Sequence, residues 1–255
     1  MKISAHCLVK NEDRFVWYSI MSVIDYVDEI LIYLDDRSGD KTERIIKTIK
    51  SSKIIFKKKC PRNLQELGNL RQEMLEETKA DWIFILDGDE IWYDGVVRDI
   101  RSKIYDLGES KDLIVNPNYM LIGDMFHYQP EEAGKYRIAS RRGNYNIRFI
   151  RKGIPGLHAE GAFLYEGYAG GRGIKIQNLG EERIYFSNEK YLHASFLKKP
   201  KFEIGKEFPK NFYYPEVFFK SRPAIVPSPW QAMTVGYKLN AFWQTPLKKI
   251  KRRLI

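Results

Sequence analysis

The sequence predicts an α/β protein built on a doubly wound, mostly parallel central sheet. Three observations lead there. Four short apolar runs end near residues 9, 34, 56 and 86, helix-period stripes lie between them, and three of the four runs stop at acidic groups. Strands that alternate with helices form βαβ crossovers, which lay the strands parallel. In such sheets ligands bind beyond the carboxyl ends of the strands, so those ends are where function is sought.

In order, residues 3–9 read as the first strand. Val16, Ile20, Val23, Ile24 and Val27 fall at i, i+4, i+7, i+8 and i+11, one stripe of a helix. Residues 29–34 form a buried strand that runs into Asp35-Asp36, and 40–49 read as a second helix. Residues 53–56 are a third strand. Residues 64–78 are a third helix, with Leu67, Leu70, Met74 and Leu75 on one face. Residues 82–86 are a fourth strand that enters Asp87-Gly88-Asp89-Glu90 directly. From residue 112 the pattern changes: 112–122, 137–140 and 145–151 look like strands joined by Gly-rich turns, a mixed-strand half that continues the sheet. Residues 198–255 are rich in Pro, Lys and aromatic residues.

Composition narrows the classes. A chain of 255 residues with 44% hydrophobic and 14% aromatic residues is globular and not disordered. Two cysteines exclude a disulfide framework and a zinc site of several thiolates. No apolar run reaches the roughly 18–20 residues of a spanning helix. The first residues enter a strand pattern at once, with no signal-peptide core, so a cytoplasmic chain is expected. The net charge of +10 is local. Residues 198–255 carry thirteen Lys/Arg against Glu203, Glu207 and Glu216, while the preceding 197 residues sum to zero. A basic end on a neutral body predicts an anionic partner met at one end, and no specific nucleic acid.

Asp87-Gly88-Asp89 is the sharpest chemical feature. Two carboxylates flank a glycine straight after a buried strand, an arrangement suited to a hard divalent cation that keeps open positions for phosphate oxygens. As a bare dipeptide, Asp-Gly also suits a solvated turn. Asp35-Asp36-Arg37-Ser38-Gly39-Asp40-Lys41-Thr42 leaves a strand and enters a helix. Ser38 or Asp40 serves as a helix cap, and adjacent carboxylates at the strand end need a partner such as a ribose hydroxyl, a base N–H or an arginine.

Four motifs in order carry a resemblance: Leu8-Val9-Lys10-Asn11-Glu12, then Asp35-Asp36-x-Ser38-x-Asp40-x-Thr42, then Asn69-x-Arg71, then Phe84-x-Leu86-Asp87-x-Asp89-Glu90. In order and spacing the set resembles the family 2 glycosyltransferases of the GT-A fold. The resemblance covers residues 1–95 firmly, thins towards 197, and matches nothing in 198–255. It implies a nucleotide-sugar-binding half over 1–111, an acceptor-binding half over 112–197, and a basic, aromatic-rich C-terminal extension over 198–255. Val9, Asn11, Glu12 and Asp36 would hold the base, Asp35 would lie on base or ribose, and Arg71 would meet base or diphosphate. Asp87, Gly88 and Asp89 would form the Asp-x-Asp turn. Asp89 would bind Mn²⁺ or Mg²⁺ directly, and Asp87 would reach the ribose, or the metal through water. His193, in Tyr191-Leu192-His193-Ala194-Ser195, would complete the metal shell or touch the diphosphate; a core role is its alternative.

The family implies inversion by direct displacement, which needs a general base at the acceptor hydroxyl. Glu160 is the first candidate, Asp124 the second and Glu90 the third. Here the sequence departs from the family pattern, because Ala159 separates His158 from Glu160. The Gln-x-x-Arg-Trp pattern of processive members is absent, which implies transfer of single sugars. The expected reaction moves a sugar from a nucleotide diphosphate donor, UDP-sugar favoured, to a hydroxyl of a glycan or lipid-linked acceptor. A nucleotidyltransferase ranks lower, because no Gly-rich phosphate loop follows the first strand. A nonenzymatic membrane- or nucleic-acid-associated module is the other alternative. The aromatic run 212–219 suits an acceptor site, a lipid interface or a packing strip. Residues 246–255 place Leu247, Ile250 and Leu254 at i, i+3 and i+7 among basic residues, a short amphipathic helix suited to the cytoplasmic face of an anionic membrane.

Overall fold

The structure is a computed structural model that describes residues 1–161, 167–199 and 201–253. Four parallel strands form the first half: β1 (Ile3–Val9), β2 (Glu29–Asp35), β3 (Ile54–Lys59) and β4 (Trp82–Ile85), in the order β3-β2-β1-β4. Helices α1 (Val16–Val23), α2 (Thr42–Ile46) and α3 (Leu64–Glu77) make the crossovers. The side-chain period of two shows which face each residue serves. Ile30, Ile32 and Leu34 of β2 pack into the main core with Val16, Ile20 and Val23 of α1. Leu31 and Tyr33 point the other way, onto Leu67, Leu70 and Met74 of α3. Helices therefore cover both faces, as the apolar runs predict.

The second half joins this sheet in mixed orientation. After β5 (Glu90–Ile91) and α4 (Asp94–Leu107) come β6 (Leu113–Ile122), β7 (His127–Tyr128), β8 (Tyr136–Ile138), β9 (Arg141–Gly143) and β10 (Tyr145–Arg151). Strand β10 lies antiparallel between β4 and β6, so β4 and β6 share a direction. Strands β11 (His158–Glu160) and β12 (Gly167–Ala169) form a separate hairpin. Strands β13 (Ile184–Phe186) and β14 (Tyr191–Ala194) run parallel to β6, and β14 also pairs β5 with His193 opposite Glu90. The short helix α5 (Ser195–Lys198), strand β15 (Lys206–Glu207) and helix α6 (Val235–Arg253) complete the chain.

Several elements differ from the sequence reading. Helix α2 is shorter than 40–49, because Asp40 folds back to accept the Thr42 N–H at 2.9 Å and the helix starts after that turn. The segment 137–140 splits into the β8–β9 hairpin, which turns through Ala139 at φ 49°. Helix α4 has no counterpart in the reading, yet Val96, Val97, Ile100 and Ile104 bury one face in the main core. The extension is not a loose tail at its start. Phe208, Val217, Phe218 and Val226 join the main core, and the Tyr18 hydroxyl donates to Pro227 O at 2.7 Å. Within the aromatic run, Val217 and Phe218 are buried and Phe212 stacks on Phe208, as a packing strip would, while Tyr213 and Phe219 face outward. Helix α6 starts at Val235, well before residue 246, and Leu254 and Ile255 lie outside the described residues. No helix among the described residues is long and apolar enough to cross a membrane.

Candidate active site

The site is built where β1, β4 and β14 end. Strand β4 stops at Ile85, and the turn Asp87-Gly88-Asp89 leads into β5. Its backbone is tied on both sides: the Ser19 hydroxyl donates to Asp87 O at 2.8 Å, and the Ala194 N–H donates to Asp89 O at 2.8 Å. Gly88 is required by space. A Cβ there would lie 2.8 Å from Val9 Cγ1 and 2.9 Å from Glu12 Cγ. The missing side chain lets the end of β1 press against the Asp-x-Asp turn.

Four acidic groups and four cationic side chains converge on this turn. Arg148 of β10, buried, reaches Asp87 Oδ2 at 3.0 Å and also pairs with Glu90. Its Nε donates to the Tyr191 hydroxyl at 3.1 Å. Arg71 of α3 stands 3.6 Å from Asp87 Oδ1. Asp89 Oδ2 meets Lys198 Nζ at 2.9 Å and accepts from the Ser195 hydroxyl at 3.0 Å, and Asp89 Oδ1 lies 3.5 Å from His193 Nε2. Lys198 also pairs with Glu12, which ties the first strand's end to α5.

Burial and charge set the protonation states. Burial opposes ionisation of Asp87 and Asp89, but the cations outweigh it and hold both below the usual carboxylate range: Arg148 and Arg71 for Asp87, His193 and Lys198 for Asp89. His193 loses hydration too, yet Asp89 and Glu90 raise its pKa above the ordinary imidazole value. Glu90 lies deeper, and burial pushes it up to about 7 despite Arg148. Glu12 is pushed up to about 8 by burial and by Asp89, against the pull of Lys198. Carboxylates so crowded are a site that a further cation would relieve.

The donor set fits a divalent metal. One oxygen each of Asp87 and Glu90 and one nitrogen of His193 lie within 4.8 Å of one another. His193 Nδ1 and Glu90 Oε2 are buried with no hydrogen-bond partner. Carboxylate oxygen with imidazole nitrogen suits Mn²⁺, and Mg²⁺ with fewer protein ligands. This trio shares Asp87 and His193 with the set expected from the sequence and adds Glu90. Asp89 stands beside it, engaged by Lys198, Ser195 and His193.

On the expected nucleotide side, two loops are laced together. Asn11 sits at φ 54°, and its Oδ1 accepts the Gly39 N–H at 2.9 Å. The Glu12 N–H donates to Thr42 Oγ1 at 2.7 Å. Asp35 is buried at the end of β2, where the Arg37 guanidinium donates to its two oxygens at 2.8 and 2.6 Å and Lys10 approaches at 3.1 Å. The Arg37 hydrogen bonds, with Lys10, pull its pKa down to about 2. Asp36, next to it, is exposed.

The candidate bases occupy three different settings. Asp124 is buried in the turn after β6. It accepts from Phe126 N at 2.8 Å, His127 Nδ1 at 2.7 Å and Met233 N at 3.2 Å, so its oxygens hold that turn and the start of the last segment. Glu160 ends β11, partly exposed, with Lys175 at 3.8 Å. Its hairpin is seated on α3 by the Ala159 N–H, which donates to Gln72 Oε1 at 2.8 Å, one residue along from Arg71. Glu90 is enclosed within the Arg148–His193 cluster.

Reading the sequence missed Lys198, Ser195 and the pairing role of Arg148. Lys198 is five residues past His193, and in the sequence its charge belongs to the basic extension. Ser195 lies two residues from His193, on the exit from the same strand.

A doubly wound sheet with an Asp-x-Asp turn at its carboxyl edge defines the GT-A class of α/β domain. Residues 5–162 match the family described as Glycosyl transferase family 2, well over half of the chain, and the protein belongs to that family. Among solved structures it is similar to TarS of S. aureus. The 1–349 form is 12% identical, with 77% of this chain and 61% of that chain covered and a TM-score of 0.50. The longer TarS structure is 14% identical, with 76% and 37% covered and a TM-score of 0.51. The present chain thus spans less than two thirds of either TarS chain. Glucosyl-3-phosphoglycerate synthase of Mycobacterium tuberculosis, solved with Mn²⁺ and UDP-glucose, is 16% identical, with 82% and 73% covered and a TM-score of 0.45. No protein of curated function matches the chain.

Proposed function

We propose that the protein transfers single sugars from a nucleotide diphosphate donor, a UDP-sugar in first place, to a hydroxyl of a glycan or lipid-linked acceptor, with inversion. The observation that carries this reading is the convergence of Asp87, Asp89, Glu90 and His193 with Arg71, Arg148 and Lys198 at the carboxyl ends of parallel strands. TarS, which shares the fold, has been solved with UDP.

The Val9–Glu12 and 35–42 loops, fixed to each other by Asn11 and Thr42, form the base and ribose side, with the exposed Asp36 open to accept hydrogen bonds there. Asp87, Glu90 and His193, with Asp89 beside them, would hold Mn²⁺ or Mg²⁺ next to the diphosphate. A bound divalent cation supplies Lewis-acid stabilisation of the charge that grows on the leaving diphosphate. Arg71 and Lys198 add fixed positive charge to the same region, and their burial makes that charge count for more than it would in water. Arg148 keeps Asp87 and Glu90 in position from below.

Glu160 takes the proton from the attacking hydroxyl. Of the three carboxylates it has the least committed oxygens, and it is seated on the helix that carries Arg71. Asp124 acts by holding its turn and Glu90 by its place in the metal cluster.

The test measures nucleotide release from UDP-, GDP- and dTDP-sugars with Mn²⁺, for wild type and Asp89→Ala. Release from one donor class by wild type, and its loss in the variant, is expected. A wild type that neither binds nor turns over any donor sinks the reading.

A further inference from the structure

Helix α6 lies on the body by one face and leaves the opposite face bare. Tyr237, Ala241 and Thr245 repeat every fourth residue and are buried. The Tyr237 hydroxyl donates to Glu203 O at 3.2 Å, and Thr245 Oγ1 accepts from Ile204 N at 2.9 Å. One and two turns further on, Lys248 donates to Phe202 O at 2.9 Å and Arg252 pairs with the buried Glu203 at 2.6 Å. The segment just before the helix is pinned as well. A Cβ on Gly123 would lie 2.7 Å from Met233, and the Met233 N–H donates to Asp124.

The opposite side carries Val235, Leu239, Phe242, Trp243, Leu247 and Ile250, each more than half exposed. At 3.6 residues per turn these six form one continuous stripe about 140° wide. Exposed lysines flank it, Lys238 and Lys249 on one side and Lys251 on the other, and no acidic residue occurs in the helix. An apolar stripe of this length is not a feature of a surface meant for water alone.

Charge decides what covers it. Two copies of the helix packed stripe to stripe would bring their lysine flanks together, with no carboxylate on either helix to offset them. An anionic bilayer offers an apolar boundary for Phe242, Trp243 and the aliphatic side chains, and phosphate groups for the lysines. We propose that α6 lies in the plane of an anionic lipid surface, stripe inward, and holds the body against it. The consequence for the site is geometric. Strands β4 and β6 share a direction, so the Asp-x-Asp turn and the Gly123–Asp124 turn under the helix lie at the same edge of the sheet. The membrane contact is thus the whole of α6, not the segment from residue 246 alone.

The experiment is co-sedimentation of the full chain with vesicles of phosphatidylcholine alone or mixed with phosphatidylglycerol, at low and high salt. Three proteins are compared: wild type, Leu239→Ser/Phe242→Ser/Trp243→Ser, and Lys249→Glu/Lys251→Glu. All the altered side chains are exposed, so circular dichroism is expected to show the same fold. Wild type is expected to bind mixed vesicles and to lose binding at high salt. Each variant is expected to bind roughly tenfold or more weakly. Wild type that stays in solution, or a triple variant that still binds, overturns the proposal. So does a lipid-free dimer that the triple variant dissociates, which would assign the stripe to a second copy. UDP affinity, measured in parallel, does not depend on the stripe. Failure of nucleotide binding and failure of vesicle binding are therefore separate results.

Discussion

Lys198 concentrates the chemistry of the site in one ammonium group. It bridges Glu12 and Asp89, two carboxylates that would otherwise face each other across a buried gap. A divalent cation bound at this turn competes with that ammonium for Asp89. Lys198→Met is therefore expected to lower the melting temperature without metal, because Asp89 loses an ionic partner and the buried Glu12 carboxyl a hydrogen-bond donor, and to tighten Mn²⁺ binding by roughly tenfold. Isothermal titration without nucleotide reads the second effect; unchanged Mn²⁺ affinity would separate Lys198 from the metal site. Arg148 makes the complementary case. It holds Asp87 and Glu90 together from inside the core, so Arg148→Met takes the guanidinium from both carboxylates and leaves Glu90 buried with His193 as its remaining ionic neighbour. A loss of about 3–5 kcal/mol is expected from urea unfolding. Glu90→Gln should cost less in that variant than in wild type, because the pairing it breaks is already gone; simple additivity of the two changes would contradict the pairing.

At the scale of elements, the site is assembled by pairings far apart in sequence. Strand β14 pairs β5 so that His193 stands opposite Glu90, and β10 inserts between β4 and β6 to bring Arg148 beneath Asp87. The first four strands are legible in the sequence because each holds a short apolar run, three of the four runs stop at acidic groups, and the first and third helices between them show their own stripes. The Asp-x-Asp turn is legible for the same reason. Strand β10 is legible at 145–151, but its antiparallel place between β4 and β6 is not, nor is the β8–β9 hairpin, since register across a mixed sheet depends on partners that the local pattern does not name. Of helix α6 the sequence reading has only the part from residue 246; the helix begins at Val235 and carries Pro246 on its exposed side. Lys198 was hidden because a lysine beside a basic run looks like solvated charge until α5 turns it inward. The β11–β12 hairpin provides the element-scale test. Gln72→Ala removes the bond that seats Ala159 on α3, at a cost of about 1 kcal/mol in stability. If Glu160 is the base, this change lowers kcat while nucleotide affinity stays constant, and Glu160→Gln lowers kcat by roughly 10²–10⁴. A Glu160→Gln enzyme with unaltered kcat would remove it from the reaction.

For the whole molecule, one part of the response to acid follows from a histidine in an inner strand of the parallel half. His6 is fully buried in β1, with Nε2 at 2.5 Å from Thr78 Oγ1. The Thr78 hydroxyl donates its proton to Met74 O at 2.9 Å, so it accepts from His6, which places the ring proton on Nε2 and leaves Nδ1 bare. Burial, with the positive charges of Arg71 and Lys152 nearby, lowers the His6 pKa from 6.5 to about 3. The folded state thus binds this proton less readily than the unfolded chain. Its contribution is complete above pH 6.5 and is lost as pH falls towards 3, at up to roughly 1.4 kcal/mol per pH unit. Other groups add their own pH dependence: burial of Glu12 and Glu90 costs stability as pH rises through about 8 and about 7, and Asp35 gives up its contribution as pH falls to about 2. A single pH profile mixes these effects, whereas a difference between two proteins isolates one of them. His6→Gln keeps a polar group near Thr78 but has no proton to gain. At pH 7 it should be the less stable protein, because the ring leaves a gap in a packed strand. Between pH 6.5 and 4.5 wild type alone pays the linkage cost, and the gap should close by about 2–3 kcal/mol. Urea unfolding of both proteins at several pH values measures it, and a constant gap across that range would mean that His6 is not held neutral by the fold.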